Sequence, residues 1–304
     1  MASEKLRAII KTMRQNTSMA AADLSIAERR NNMEAGMRNI ITPGDVETEN
    51  LEVGGISCRW VRTPGAREEN CVVYFHGGGY VMGSLNTHEE LMSRISRHCN
   101  ARVLGVDYRL APEHPFPAAV DDGLAVYQWL LAQGMNPGRI MLAGDSAGGG
   151  LTLATLLAAK NKAVALPAGA ILFSPWTDLT GSGESMVTRA EADPMITGGR
   201  EGLLSMARLY HQNDTAENPL VSPLFADLSG LPPLLIQVGD AEVLLDDATR
   251  LADNARAQGV TATLQIWDEA PHVFQALPMV PEAEEALLKA GTFFKDLTAS
   301  DRSI

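Results

Sequence analysis

The amino-acid sequence predicts an α/β fold, with a mostly parallel eight-stranded sheet flanked on both faces by helices. Three observations carry that expectation. Eight short apolar runs punctuate the chain, helix-forming stretches alternate with the later ones, and the segment GDSAG at 144–148 stands where one run gives way to one stretch. In chain order the runs are LEV (51–53), ISCRWV (56–61), CVVYF (71–75), RVLGVD (102–107), IMLAG (140–144), AILFS (170–174), LLIQVG (234–239) and TLQIW (263–267). The helical stretches lie near 85–99, 117–133, 147–160, 243–258 and 281–297.

Ahead of the first strand, Leu6, Ile9, Ile10 and Met13 follow the i, i+3, i+4, i+7 stripe of an amphipathic helix. Ser25 and Glu28 have capping-box spacing before Met33, Met37 and Ile40, which predicts a second helix ending before Pro43-Gly44. Residues 1–42 therefore read as a helical arm and 43–304 as the main domain. The interval 175–232 is far longer than one crossover helix requires, so an insertion is expected there. Its Trp176, Met186, Met195, Met206 and Tyr210 either pack as core or fold with the arm as a lid.

A chain of 304 residues suffices for one large α/β domain or for a core with a small attached subdomain. With 25 Lys and Arg against 37 Asp and Glu, the formal net charge of −12 argues against electrostatic binding to nucleic acid or to anionic membrane. The three cysteines, Cys58, Cys71 and Cys99, have no metal-ligand or CxxC spacing, so buried thiols in a reducing compartment are expected. The N-terminal segment lacks the apolar core and cleavage site of a secretory signal, and no apolar run reaches the roughly 18 residues of a membrane span. The expectation is a cytoplasmic protein without a membrane span, and with a second copy of the chain left open as a partner.

The stretch VYFHGGGYVMGS (73–84) puts three glycines behind a buried strand, which suggests backbone N–H groups that must face something. A phosphate is excluded: Gly78 and Gly83 have Walker spacing, but Ser84 and Leu85 stand where Lys and Ser/Thr are required. A dinucleotide fingerprint counted from Gly77 fails at Met82. An oxyanion remains, and it needs a nucleophile. GDSAG supplies Ser146 at a sharp strand-to-helix turn, where the Ala147 N–H also opens a helix. The N–H groups of Gly78, Gly79 and Ala147 would then form the oxyanion hole, with His76 helping to hold the loop and Asp145 as a supporting residue.

A serine needs a base. Of six histidines, His272 follows the last strand and precedes the last helix, which places it at the same sheet edge as Ser146. His88 and His98 lie on a helix face, and His114 and His211 in polar segments, where satisfied or solvated roles are expected. The segment VGDAEVLLDD offers Asp240, Glu242, Asp246 and Asp247 as the group orienting His272. Chemistry alone accepts any of them; Glu242 sits in the strand-to-helix turn, Asp246 and Asp247 within the helix, and Asp240 has an alternative role as its N-cap.

These residues resemble the hormone-sensitive-lipase-like, or family IV, esterases of the α/β-hydrolase superfamily. HGGGY (76–80), DYRLAPEHPFPA (107–118), GDSAGGG (144–150), DPMIT (193–197), SPLFADLSGLPP (222–233), GDAEVLLDD (239–247) and PHVF (271–274) occur in that family's order across nearly the whole chain. The resemblance implies an acid at the fourth position of G-x-x-D-x-L; counted from Gly239 that position holds Glu242, a departure toward glutamate that leaves Asp240 as runner-up. It also implies a helical cap, which residues 1–42 and part of 184–215 match in placement. The activity implied is a serine carboxylesterase acting on short- to medium-chain acyl esters, with neither metal nor organic cofactor. Lipase, amidase, deacetylase and lactone-cleaving activities share the same apparatus. A ligand-binding protein on this scaffold is the alternative from another class; the intact His272 favours the enzyme.

Overall fold

The computed structural model describes residues 2–16, 24–196, 198–212 and 214–299. Within the expected arm, Met1 and residues 17–23 lie outside the described residues, as do Thr197 and Asn213 within the expected insertion. The first elements are α1 (Glu4–Asn16), α2 (Ile26–Met37), β1 (Glu47–Val53), β2 (Ile56–Arg62), β3 (Arg67–Phe75), α3 (Leu85–Cys99), β4 (Ala101–Val106) and α4 (Ala118–Ala132). They are followed by β5 (Ile140–Asp145), α5 (Ala147–Asn161), β6 (Gly169–Phe173), α6 (Ser185–Thr188), α7 (Gly199–His211), β7 (Leu234–Gly239), α8 (Leu245–Ala257), β8 (Ala262–Trp267) and α9 (Pro281–Thr298).

All eight expected strands join one sheet in the order β1-β2-β4-β3-β5-β6-β7-β8. Only β2 runs against its neighbours, and every pairing from β4 to β8 is parallel. Every residue of β5, β6 and β7 is buried, because helices cover both faces; hence these strands read as unbroken apolar runs. The outer strand β1 starts four residues before the expected 51, because residues 47–50 are exposed and carry no apolar signal although they pair with 59–62.

Alternation along β3 divides the core. Val72 and Tyr74 face Leu91 and Ile95 of α3 and Phe294 of α9. Val73 and Phe75 face the other layer, where Leu124 of α4, Leu151 of α5 and Leu251 of α8 pack. Helix α1 is tied down separately, through Leu6 and Ile10 against Phe274 and Leu277. Burial is worth about 1.5–3 kcal/mol for each such side chain, which suffices to dock a 13-residue helix that would be marginal alone.

Helix α2 is held differently. Its capping box forms as expected, with Ser25 Oγ accepting the Glu28 N–H at 3.3 Å and Glu28 accepting the Ser25 N–H at 2.8 Å. It ends at Met37, so Ile40 does not continue its face, and it fully buries no side chain. Instead Arg30 donates to the carbonyls of Val81 at 2.7 Å and Ala111 at 2.8 Å and grips Glu113 bidentately at 2.7 Å. The hydrogen bonds from Arg30 hold the Glu113 carboxyl down to about 2, so the pair stays charged through the neutral range. In the 175–232 interval, Trp176, Met186 and Tyr210 are core residues, at most 1% exposed. Tyr210 of α7 stacks on Tyr80 with ring centroids 3.8 Å apart, fastening α7 to the glycine loop after β3.

From β3 the chain crosses to β4 on one side and returns to β5 on the other, so the segments leaving the carboxyl ends of β3 and β5 diverge and open a crevice. There Ser146 alone links β5 to α5, with φ 54° and ψ −121°. This turn lies directly on the end of β3. A Cβ at Gly148 would overlap the Phe75 carbonyl, and one at Gly144 would overlap the Gly148 main chain. Gly148→Ala should therefore destabilise the protein by about 1–3 kcal/mol or more, because the obstructing atoms are backbone and cannot rotate aside. An unchanged thermal midpoint would mean that the turn relaxes freely.

Candidate active site

Four segments that are distant in sequence meet at the carboxyl edge of the sheet. β3 delivers His76 to Gly79, β5 delivers Asp145 and Ser146, the turn after β7 carries Glu242, and the loop after β8 carries His272. Gly78, Gly79, Asp145, Ser146 and His272 line one predominantly apolar cavity of about 410 Å³. Ser146 is held at positive φ, and its N–H donates to the Phe173 carbonyl at 2.9 Å, so the turn is anchored to β6 as well.

The glycine loop is built to present main chain. Gly78 and Gly79 have φ of 116° and 64°, and their N–H groups donate to no acceptor among the described residues. The Gly78 carbonyl accepts from Val81 and Met82 at 3.1 and 2.9 Å, and a Cβ at Gly78 would strike the Met82 carbonyl. Ala147 is the first residue of α5, where an N–H has no intrahelical acceptor and belongs to the positive end of the helix dipole. His76 braces the loop: its Nδ1–H donates to the Gly77 carbonyl at 2.8 Å, and its ring stacks on Tyr108 at 4.4 Å. Tyr108 in turn donates to the His76 carbonyl at 2.8 Å. Burial and the nearby His88 push the His76 pKa down to about 3, so this imidazole is neutral.

Asp145 ties the two loops together. Its Oδ1 accepts from the Tyr74 hydroxyl at 2.5 Å and the Gly77 N–H at 2.9 Å, and His88 Nε2 lies 3.5 Å away. Burial opposes its charge, but His88 and Tyr74 outweigh burial and hold the carboxyl below its ordinary range. His88 is thus a satisfied histidine, as expected of a helix face. It also lines the cavity, a placement with no local signal in the sequence.

Of the four acidic candidates after β7, only Glu242 reaches His272, with Oε1 3.7 Å from Nδ1. That is an ion-pair separation rather than a closed hydrogen bond. Glu242 is fully buried; its Oε2 accepts from Ser174 Oγ at 2.8 Å, while the same Oγ accepts the Val273 N–H at 3.0 Å. Ser174 therefore spans the acid and the histidine loop, a role hidden in the last letter of AILFS. Burial raises the pKa of Glu242, with His272 and Ser174 opposing the rise. For His272, burial disfavours the imidazolium, but Glu242 in the first place and then Asp193 and Asp145 outweigh it and raise its pKa. Asp240 accepts the Glu269 N–H at 2.6 Å and does not cap α8, which starts only at Leu245. Asp246 accepts from the Ser185 N–H, and Asp247 from the N–H groups of Thr177 and Asp178. Among the described residues, no group of three or more His, Cys, Asp or Glu side chains is arranged to hold a metal ion, and no helix is long and apolar enough to cross a membrane.

Residues 72–276 match a family described by the alpha/beta hydrolase fold. An acetyl-hydrolase of Streptomyces hygroscopicus is 43% identical over 259 residues, which cover 85% of this chain and 84% of that protein. Among solved structures, an esterase from the bacterial hormone-sensitive lipase family is 44% identical with a TM-score of 0.93, covering 98% of this chain and 99% of that one. The esterase EstE5, crystallised and soaked with p-nitrophenyl butyrate, is 45% identical with a TM-score of 0.94, covering 98% and 100%.

The electrostatics of the two histidines separate in a titration. By NMR, His272 should titrate above the ordinary 6.5, whereas His76 should stay neutral until the pH approaches about 3. Glu242→Gln should lower the His272 midpoint, since burial would then oppose the charge with less compensation. A wild-type His272 midpoint at or below 6.5 would contradict this account.

Proposed function

The chain belongs to the α/β-hydrolase fold family, in its bacterial hormone-sensitive-lipase branch, and is a carboxylic ester hydrolase; on that premise we propose that Ser146, His272 and Glu242 are its catalytic triad and that Gly78, Gly79 and Ala147 form its oxyanion hole. The observation that carries this reading is the shared cavity: the serine, the histidine and the two glycines whose N–H groups lack an acceptor line it, while the buried Glu242 reaches His272 at 3.7 Å. His272 accepts the Ser146 proton as Oγ attacks the ester carbonyl carbon. The carbonyl oxygen becomes an alkoxide that accepts the three N–H groups, which were already oriented and unpaired, so little reorganisation is needed. Collapse of the tetrahedral intermediate expels the alcohol, protonated by His272. The same histidine then takes a proton from water, whose oxygen attacks the acyl-enzyme, and returns it to Ser146 Oγ on release of the acid.

Helix α2 and the segment carrying α6 and α7 act as the cap. Leu24, Met33 and Met37 from one side and Met195, Leu203 and Met206 from the other line the cavity. Unbranched thioethers adapt to substrates of varied shape, and a volume of about 410 Å³ lies toward the small end for ligand sites. We therefore assign short- to medium-chain acyl esters. The acetyl-hydrolase relative and the EstE5 crystals soaked with a butyrate ester support that range. The three cysteines are free and buried, which supports a reducing compartment, the cytoplasm.

Ser146→Ala should abolish ester hydrolysis with an unchanged circular dichroism spectrum; retained turnover by the folded variant would remove Ser146 from the mechanism. Glu242→Gln should lower kcat by about 10⁴-fold. Asp240→Asn should do far less, and the reverse ranking would move the acid to Asp240. In a panel graded by acyl length, with amides alongside, short esters should be cleaved fastest. A preference for acyl chains of about 12 carbons or more would overturn the cap's proposed role.

A further inference from the structure

Val243, directly after Glu242, has both its main-chain polar groups engaged by the segment that precedes α7. Its N–H donates to Asp193 Oδ2 at 3.2 Å, and its carbonyl accepts from Ser185 Oγ at 2.7 Å. The other oxygen of Asp193 accepts the N–H groups of Met195 at 2.9 Å and Ile196 at 3.4 Å, and both of these residues line the cavity. Asp193 is 5% exposed and Ser185 3%, so these bonds form away from water, where leaving a partner unpaired is costly. A single carboxylate thus spans the gap between the cavity wall and the acid's own turn. The turn after β7 has a second tie, to the loop after β8, through the Ala241 N–H and the Ala270 carbonyl at 3.2 Å.

We propose that Asp193 is a positioning residue: it ties the wall at Met195 and Ile196 to the main chain beside Glu242, so that wall and acid take up their working places together. This rests on the reading of Glu242 as the acid. The coupling makes the cap part of the triad's support. A substrate that seats the wall correctly also fixes the carboxylate that orients His272, and a displaced wall loosens it. Asp193 contributes charge as well as geometry, because it acts on His272 together with Glu242 and Asp145, the latter itself facing His88 and Tyr74.

The test uses Asp193→Ala, Asp193→Asn and Glu242→Gln, singly and with each Asp193 change combined with Glu242→Gln, each titrated with a fluorophosphonate so that rates refer to sites with a reactive Ser146. Asp193→Ala should lower kcat by about 10²-fold, the loss expected for a misplacement of about 1 Å in a catalytic group. Asp193→Asn keeps one acceptor oxygen but turns an NH2 toward the N–H that the other oxygen held, so it should recover only part of kcat. In both variants the rising limb of the kcat/KM profile should move to lower pH, because a negative charge near His272 is gone. In the Glu242→Gln background, Asp193→Ala should cost less than about tenfold more, since its effect passes through the missing carboxylate. Full additivity, a wild-type kcat with an unmoved pH limb, or a change confined to KM would each overturn the proposal while leaving a crippled Glu242→Gln as support for the triad. Glu242→Gln with nearly wild-type kcat would overturn the acid assignment and this proposal together. Should Asp193→Ala fail to fold, the pH limb of Asp193→Asn and its own cycle with Glu242→Gln decide the matter.

Discussion

The end of β3 and the start of α5 compete for the same space, and the rest of the site is arranged around that contact. Gly148 lies against the Phe75 carbonyl with no room for a side chain, which brings the serine turn and the glycine loop side by side. The position of Ser146 is thereby set by main chain rather than by rotamers of its neighbours. Its positive φ is held by the hydrogen bond to Phe173 on one side and by α5 on the other. Strain of this kind costs of order 1–3 kcal/mol and persists only where the surroundings over-determine it. Here the surroundings are buried strands on both sides, so the cost is met by the core and not by the site.

Around that contact the protein buries three carboxylates, each with its own compensation. Asp145 has a tyrosine hydroxyl, a glycine N–H and a neighbouring imidazole. Asp193 has three main-chain N–H groups. Glu242 has a serine hydroxyl, the Gly239 N–H at 3.4 Å and one long contact with His272. Both hydrogen bonds to Glu242 fall on Oε2, so Oε1 faces the histidine without a hydrogen-bond partner and is available to meet a proton on Nδ1. A buried charge left short of partners favours whatever supplies the missing one. An imidazolium that forms during a reaction step would do so.

Much of the fold was legible because its signals are local. Strands buried on both faces read as apolar runs, and the serine turn announces itself in five letters. The choice among four carboxylates within eight residues was not legible, because it depends on which way a short turn after β7 points relative to a loop thirty residues on. Ser174 and Asp193 were invisible for the same reason: each acts through a residue at least 50 positions away, Ser174 on Glu242 and Asp193 on Val243. His88 looked like any histidine on a helix, since nothing in LNTHEELM records that Asp145 lies opposite. The insertion's apolar residues divided between the two roles expected of them. Trp176, Met186 and Tyr210 went to the core, Met195 and Met206 to the cavity, a division set by tertiary contacts that hydropathy does not encode.

The two N-terminal helices are attached by different physics, and this gives them different thermal behaviour. Detaching α1 exposes Leu6 and Ile10 to water, so its free energy of release carries a positive heat capacity and curves with temperature. Releasing α2 exchanges the hydrogen bonds of Arg30 for hydrogen bonds to water and frees Ile26, Met33 and Met37, none of them fully buried. Its free energy should curve less with temperature than that of α1, and dissolved salt should weaken its Arg30–Glu113 pair as it weakens the Arg7–Glu269 pair of α1. Heat capacity thus sets the two fastenings apart more than salt does, with the less curved one set beside the cavity.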